Sequence, residues 1–521
     1  MKKSLILFLM AVGFSSCVKD EGNYTYTEVN EITIEGLEES YYALQGVDVL
    51  EIQPKITSTL LGENLDNYEF QWHLHQGLAE HKHTLIYKGK EKDLTYKVDA
   101  PLGDYTLYFT VLDKTTGIKA MASAPLTVAN STTRGFLLFG DDLEEDIMGL
   151  DMVVMPTGRD TVVVENVYDN SETRFRNADQ ILFQGKYTKS TSGQDMQTLW
   201  MCTEDGSFRM SNREDISIIA ELNDFGIIEL SKDFTYNKPM RIKDVFPHQA
   251  FTSMSAMYRG YMTEDVCVFA SPGVAEYYAT PINRLSDTSK ELFKFYPLAF
   301  MNAARGSAFS TNYAIIYNMD DNCFMGIYYS KGYALTLKEN ASDKFPCKQV
   351  NRTIVWGGNA VNTYSYALMK DLSDTPNYYL YQFKPGSYTA WSNSATMTKQ
   401  NAYTIDLSKA TNLDKASHYM VSGSGSILLY TYGSTLYLYN YQYGDLISQD
   451  MGGEITYLDY EYNSTMSKTA FIIATYNDTD KGIVRKLNVG TDPNKLEIIE
   501  NPKEVWHTRL RVKDVEWKDS M

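Results

Sequence analysis

The sequence has little cysteine, little proline and no long apolar segment. Five cysteines occur in 521 residues, and none stands in a Cys-x-x-Cys pair, so neither a zinc ribbon nor a disulfide-rich scaffold is indicated. Four of the five lie in the body of the chain, at Cys202, Cys267, Cys323 and Cys347. Their spacing is compatible both with a disulfide between Cys323 and Cys347 and with four separate thiols.

An excess of positive charge is also absent. The 66 aspartates and glutamates outnumber the 48 lysines and arginines, which leaves a formal net charge of -18. Such an excess repels nucleic acid and anionic lipid headgroups. We therefore expect neither as a partner.

The first apolar run is too short to be a membrane-spanning helix. Lys2 and Lys3 precede the run Leu5–Phe14, whereas a spanning helix needs about 20 apolar residues. Small residues then lead directly to Cys17, an arrangement that resembles the lipobox of bacterial lipoproteins. It predicts a signal peptide over residues 1–16 and a lipid on Cys17. An ordinary signal peptide with an incidental cysteine is the alternative.

A short charged segment follows the cysteine. Lys19, Asp20 and Glu21 resemble the tag that directs lipoproteins of Bacteroidetes to the cell surface. Residues 17–29 are polar and are expected to act as a tether. The leader therefore predicts a protein held by lipid in the cell outer membrane and facing the extracellular side.

Aromatic residues are abundant, with 40 tyrosines and 22 phenylalanines, and helical periodicity is scarce. Aromatic and β-branched residues favour strands, so the composition predicts an all-β protein. The chain is too long for a single hydrophobic core. We expect two or more domains.

Residues 30–130 have the pattern of a small β-sandwich. Alternate residues from Tyr68 to Leu74 are apolar and include Trp72, which places them on one face of a strand. A second aromatic strand spans Asp104–Val111. A buried tryptophan followed by such a strand is similar to Ig-like and PKD-like domains.

Residues 134–521 contain many short strand pairs separated by tight turns. Leu199–Met210 and Ile427–Tyr441 are expected to be hairpins, with glycine at each turn. Strand clusters recur every roughly 45 to 75 residues, which predicts a β-propeller-like domain of six to eight blades. A terminal strand over Thr508–Trp517 is expected to pair with the first blade and close the ring. Several stacked sandwiches are the competing architecture.

These features together resemble the PKD-like family lipoproteins of Bacteroidetes. The resemblance rests on the lipobox, the PKD-like sandwich, and the segments Gly135–Leu138 and Gly149–Val153 that open the large β domain. It implies an accessory lipoprotein of a SusC/SusD-type outer-membrane nutrient uptake system. Binding of a peptide or glycan at the cell surface is the implied role.

A group of histidines is the densest candidate for metal binding. His73, His75, His81 and His83 fall within eleven residues, and a hairpin could bring them to the spacing of a zinc site. No carboxylate or cysteine with ligand-like spacing completes such a site, so a solvated polar hairpin is favoured and no metal or other cofactor is predicted. Oxygen-rich stretches that could be calcium loops or plain turns occur at 141–146, 318–322 and 477–482.

No catalytic motif stands out. The one string similar to a nucleophile elbow, Ser422–Ser426, lacks a strand-turn-helix context and is expected to be a loop. A glycosidase carboxylate pair would be invisible at this level. A secreted hydrolase and a structural or adhesin lipoprotein therefore remain alternatives to the non-enzymatic binding subunit that we predict.

Aromatic residues in loops are the predicted ligand contacts, because tyrosine and tryptophan offer large contact areas at low entropic cost. The candidates are Trp356, Tyr388, Trp391, Tyr277 and Tyr278. For each of them a core aromatic of a blade is the more common explanation, so these residues indicate a region of the domain.

Overall fold

The computed structural model describes residues 29–518 apart from gaps at 61, 63, 77–81, 130–133, 156–159, 189–194, 212–215, 223–233, 235–238, 247–258, 272–276, 279, 302–312, 462–466 and 493–494. Within these residues the chain forms strands, turns and short 3-10 helices, and no α-helix. In the segments that the structure describes, no helix is long and apolar enough to span a bilayer. The chain divides into two compact units, Met1–Ala129 and Asn130–Met521.

The first unit is a sandwich of short sheets. Its larger sheet has the order β2-β9-β8-β5-β6, and the pairs β1-β4 and β3-β7 form the other layer. The strands are β1 (Ile32–Glu35), β2 (Tyr41–Leu44), β3 (Val49–Ile52), β4 (Lys55–Ser58), β5 (Tyr68–Gln76), β6 (Lys82–Gly89), β7 (Leu94–Lys97), β8 (Gly103–Asp113) and β9 (Lys119–Ala129).

The core of this unit is built on the alternation that the sequence predicts. The apolar residues from Tyr68 to Leu74 are all buried. Trp72 lies 4.4 Å from Phe109, ring centre to ring centre, and its indole nitrogen donates to the Lys92 carbonyl at 3.1 Å. The predicted sandwich is confirmed.

The described residues of the second unit form seven sheets in chain order, so the predicted propeller-like fold of six to eight blades is confirmed, with seven blades in this part of the chain. Six sheets have four strands and the fourth has three. The strands are β10 (Gly135–Asp142), β11 (Ile147–Val154), β12 (Val162–Val164), β13 (Ala178–Thr188), β14 (Asp195–Thr203), β15 (Gly206–Met210), β16 (Ile218–Glu221), β17 (Ile242–Phe246), β18 (Arg259–Thr263), β19 (Cys267–Ser271), β20 (Tyr277–Tyr278), β21 (Tyr313–Asn318), β22 (Cys323–Tyr328), β23 (Leu335–Thr336), β24 (Arg352–Asn359), β25 (Ser365–Asp371), β26 (Tyr378–Thr389), β27 (Ser394–Ile405), β28 (His418–Val421), β29 (Ile427–Tyr432), β30 (Thr435–Asn440), β31 (Leu446–Asp450), β32 (Glu454–Tyr460), β33 (Ala470–Asn477), β34 (Lys481–Val489), β35 (Ile498–Thr508) and β36 (Arg511–Lys518).

The last strand closes the ring. β36 pairs antiparallel with β10 and becomes the innermost strand of the first sheet, whose order is β12-β11-β10-β36. It also contacts β13 of the second sheet and β32 of the seventh. The predicted closing strand is therefore confirmed, and the predicted hairpins correspond to β14-β15 and β29-β30.

The fourth sheet has an irregular inner segment in place of a regular strand. Phe295 and Phe300 form single bridges to Asn318 and Ile315 of β21. Asn359 of β24 holds the same segment, because its side chain donates to the Ala299 carbonyl at 2.9 Å and accepts from the Met301 amide at 3.0 Å. Residues 293–301 thus occupy the inner position of this blade.

Candidate functional site

A cavity of about 310 Å³ lies among the innermost strands of the propeller-like unit. We call it the axial cavity. Six of the seven sheets contribute to its lining, and Tyr366 of β25 also reaches it. The inner-strand residues are Gln180, Leu182, Lys243, Asp244, Pro297, Leu298, Trp356–Ala360, Ser417–Met420 and Leu458–Tyr460.

One wall of the axial cavity is aromatic. The Trp356 ring lies 6.2 Å from the Tyr419 ring, and the Tyr419 hydroxyl is anchored on the Leu413 carbonyl at 2.9 Å. The indole passes directly over Gly358, where a β-carbon would lie 2.4 Å from Cζ2. Glycine at this position therefore makes room for the indole.

The charged groups that β17 contributes to the lining are engaged within the protein. Lys243 forms an ion pair with Asp179 and lies 3.8 Å from Glu264. Asp244 accepts the Val245 amide at 2.9 Å with one oxygen and the Ala299 amide at 2.7 Å with the other. Because both oxygens accept backbone amides, one from its own blade and one from the next, this carboxylate links the third blade to the fourth.

His418 is also held on both sides of its ring. Nδ1 lies 3.0 Å from Thr431 Oγ1, and the ring bonds the Thr456 backbone. Burial lowers the pKa of His418, although the Thr456 bond and Glu454 oppose this shift. The imidazole therefore acts as a neutral structural element of the cavity wall.

The aromatic residues predicted as ligand contacts are not gathered in one place. Trp356 lies in the axial cavity, whereas Tyr388 and Trp391 lie at the tip of the β26-β27 hairpin. Tyr388 lies 4.6 Å from the ring of Tyr328, and Trp391 is 91% exposed. Tyr277 and Tyr278 form β20, and their side chains lie outside the described part.

The histidine group is only partly a cluster. His75 of β5 and His83 of β6 are register partners, with ring centres 4.4 Å apart, and His73 lies two residues away on the same strand. His81 lies outside the described residues, as do Cys17, Lys19, Asp20 and Glu21. Among the residues that are described, no group of three or more histidine, cysteine or acidic side chains is placed to hold a metal ion.

The oxygen-rich stretches form turns closed by their own side chains. Asp142 accepts the amides of Glu144 and Glu145 and pairs with Arg509 at 3.1 Å. Asn318 accepts the amides of Asp320 and Asp321, and Asn477 those of Thr479 and Asp480. Ser422–Ser426 joins β28 to β29, as the loop prediction requires.

The four body cysteines are free thiols. Burial raises the pKa of Cys323 to about 11 and that of Cys347 to about 12. Both groups are therefore thiols at neutral pH, and they do not form the disulfide that their spacing also allows.

Several cavity residues carried no signal in the sequence. Tyr419 and Gln180 lie in ordinary strand patterns, and only the positions of their strands in the ring bring them to the axis. A repeated tripeptide offered one clue, since Lys243-Asp244-Val245 and Lys513-Asp514-Val515 occupy inner strands of two blades.

The N-terminal part of the chain is similar to a known protein family. Residues 17–178 match the PKD-like family. This PKD-like segment covers the sandwich, continues through β12 of the first blade and ends at the first residue of β13. Among curated proteins, none matches the chain.

Solved structures similar to this chain have very low sequence identity to it. A quinonprotein alcohol dehydrogenase-like protein from Bacteroides thetaiotaomicron shares 10% identity over 93% of this chain and 97% of its own, with a TM-score of 0.32. A putative 6-phosphogluconolactonase from Bacteroides uniformis shares 8% identity over 74% of this chain and 99% of its own, with a TM-score of 0.38. YCF48 from Cyanidioschyzon merolae shares 11% identity over 67% of this chain and 98% of its own, with a TM-score of 0.31. These likenesses carry no argument about activity.

Proposed function

We propose that this protein is a surface lipoprotein that binds a small oligosaccharide or oligopeptide in the axial cavity. It would act as a non-enzymatic accessory subunit of a SusC/SusD-type uptake complex in the outer membrane. The observation that carries the binding role is the axial cavity itself, with an aromatic wall formed by Trp356 and Tyr419.

The size and lining of the cavity support a small ligand. Its volume of about 310 Å³ is at the lower end of the range typical of ligand pockets, about 300–1,000 Å³. That space suits one or two sugar rings or a short peptide segment. Flat aromatic faces can pack on either ligand.

The hydrogen bonding in the cavity favours binding over hydrolysis. A glycosidase needs two carboxyl groups that are free to exchange protons or attack. Of the two carboxylates in the lining, Asp244 already holds two backbone amides, and Asp459 accepts the Tyr460 amide at 2.8 Å. His418, the histidine of the lining, is bonded on both sides. This arrangement supports the proposed non-enzymatic binding role over the alternative of a secreted hydrolase.

Tryptophan substitutions test where a ligand binds. Fractionated glycans and peptides would be titrated by calorimetry into the mature protein, Trp356→Ala and Trp391→Ala. We expect to find a ligand that binds Trp356→Ala at least tenfold more weakly than the unmodified protein. Its affinity for the exposed control Trp391→Ala should be unchanged. Loss of affinity in Trp391→Ala alone would move the site to the β26-β27 hairpin.

The partner is tested separately. The tagged, lipidated protein would be captured from gently solubilised outer membranes, and co-purifying proteins would be identified. Recovery of a SusC/SusD-type pair supports the accessory role. Recovery of the protein alone contradicts that role but leaves ligand binding to the titration.

A further inference from the structure

A second pocket contains an arginine that forms no ion pair with any acidic residue that the structure describes. The pocket has a volume of about 720 Å³ and lies where the chain passes from the fourth to the fifth sheet. We call it the Arg352 pocket. It shares no lining residue with the axial cavity, so the inference below does not rest on the proposed function.

Two tyrosines hold the Arg352 side chain in place. The guanidinium carbon lies 3.6 Å from the centre of the Tyr379 ring, in a stacked cation–π contact. Nη1 donates to the Tyr381 hydroxyl, which in turn donates to Gln349 Oε1 at 3.0 Å. Tyr381 is fully buried and stacks on Phe345 at 4.0 Å. The arginine is therefore positioned before any ligand arrives.

No carboxylate neutralises this arginine within the part of the chain that the structure describes. Asp371 also lines the pocket but forms no ion pair with Arg352. Its oxygens accept instead from the Ser373 hydroxyl at 2.6 Å and the Asn377 amide at 2.9 Å. Arg352 and Asp371 are register partners on β24 and β25, yet their side chains form no ion pair. In a chain with 66 acidic and 48 basic residues, a half-buried arginine that no described acid pairs with is a position where an anion from outside would fit.

We propose that the Arg352 pocket binds the carboxylate of a ligand. A guanidinium donates two parallel hydrogen bonds to a planar carboxylate. Because Nη1 is bonded to Tyr381, the edge formed by Nη2 and Nε would donate to such a group. The pocket contributes one cation and is bordered by the exposed apolar side chains of Val350 and Leu372. This lining suits a singly charged group on a larger organic body better than a doubly charged phosphate.

The carboxylate could belong to an acidic sugar or to an acidic peptide side chain. The probes are trigalacturonate with its uncharged methyl ester, and acetyl-Gly-Glu-Gly-amide with its Gln analogue. Each is titrated by calorimetry into the full chain. We expect one charged probe to bind at least tenfold more tightly than its uncharged partner, and the pair that does so identifies the source.

Variants of the arginine complete the test. Arg352→Lys is expected to lower the affinity for the charged probe at least tenfold, because lysine cannot donate two parallel hydrogen bonds to a carboxylate. Arg352→Gln is expected to abolish binding of that probe. Arg241→Gln is the matched control, because Arg241 already pairs with Glu264 at 2.5 Å. Equal binding of charged and uncharged probes, no binding of either charged probe at millimolar concentration, or unchanged binding by Arg352→Gln would each overturn the proposal. The comparison of charged and uncharged probes on the unmodified protein decides it even if a variant fails to fold.

Discussion

The Asp514 carboxylate of β36 accepts a hydrogen bond from the Ile181 amide of β13 at 2.8 Å, although 333 residues separate them in the chain. Its other oxygen accepts from the Val515 amide at 2.9 Å. Asp244 makes the same pair of bonds between the third and fourth blades. One aspartate on an inner strand thus joins its own blade to the next.

Replacing Asp514 should weaken the closure of the ring. Asp514→Ala leaves the Ile181 amide without its acceptor and is expected to lower the free energy of unfolding by about 1–3 kcal/mol. Asp514→Asn keeps one acceptor oxygen and should cost less. Urea unfolding followed by tryptophan fluorescence measures the change, with the exposed Asp374→Ala as control. Equal midpoints for Asp514→Ala and Asp374→Ala would contradict a role in closure.

Gly358→Ala should displace the Trp356 indole. The new methyl group would lie 2.4 Å from Cζ2, so the ring must move and stability should fall by about 1–3 kcal/mol. Near-ultraviolet circular dichroism should change, and a ligand of the axial cavity should bind more weakly. An unchanged spectrum would show that the indole does not lie over this glycine.

Lys399→Met tests a buried ion-pair group on β27. The fully buried Lys399 ammonium lies 2.8 Å from Asp343 and 3.4 Å from Glu339, and its hydrogen bond lowers the pKa of Asp343. Because Asp343 keeps some contact with solvent, Lys399→Met should lower the free energy of unfolding at neutral pH by about 2 kcal/mol. This is less than the usual cost of breaking a fully buried pair.

The loss caused by Lys399→Met should shrink in acid. The pKa of Asp343 is lower in the folded protein than in the unfolded chain. The ion pair therefore stabilises the fold at pH values above the ordinary pKa of aspartate, and this stabilisation is lost as Asp343 is protonated at lower pH. Urea unfolding at pH 7 and pH 3.5 checks this, with the exposed Lys338→Met as control. A loss that is equal at both pH values would contradict the ion-pair explanation.

His418 should make the protein less stable in mild acid. Burial lowers its pKa, with Lys513 and Arg511 adding to the effect and Glu454 opposing it. The unfolded chain therefore takes up a proton that the folded chain resists, and stability falls as pH drops below about 6.5, by up to about 1.4 kcal/mol per pH unit.

The His418 contribution can be separated from those of other histidines. The decrease in melting temperature between pH 7.5 and pH 5 should be smaller in His418→Asn than in the unmodified protein. The exposed His507→Asn serves as control and should keep the full decrease. If both variants show the same decrease, His418 is not responsible.

The sequence by itself determined the fold class and three of the strand pairings. Alternating side chains from Tyr68 to Leu74, the glycine turns of the two predicted hairpins and the closing strand near the C-terminus are local features, and the structure contains each of them. Such features are readable because side chains alternate in a strand with a period of two and because tight turns need particular residues. The lipid anchor and the transporter partner stay predictions.

The tertiary structure alone decided where the sites are. Trp356 was a candidate from its sequence context, but its contact with Tyr419 depends on the packing of the fifth sheet beside the sixth. Arg352 gave no signal, because the absence of an acidic partner and the stacking on Tyr379 are properties of its surroundings in space. A pocket formed by strands from different blades exists only once the ring has closed, so no local pattern in the sequence could have located it.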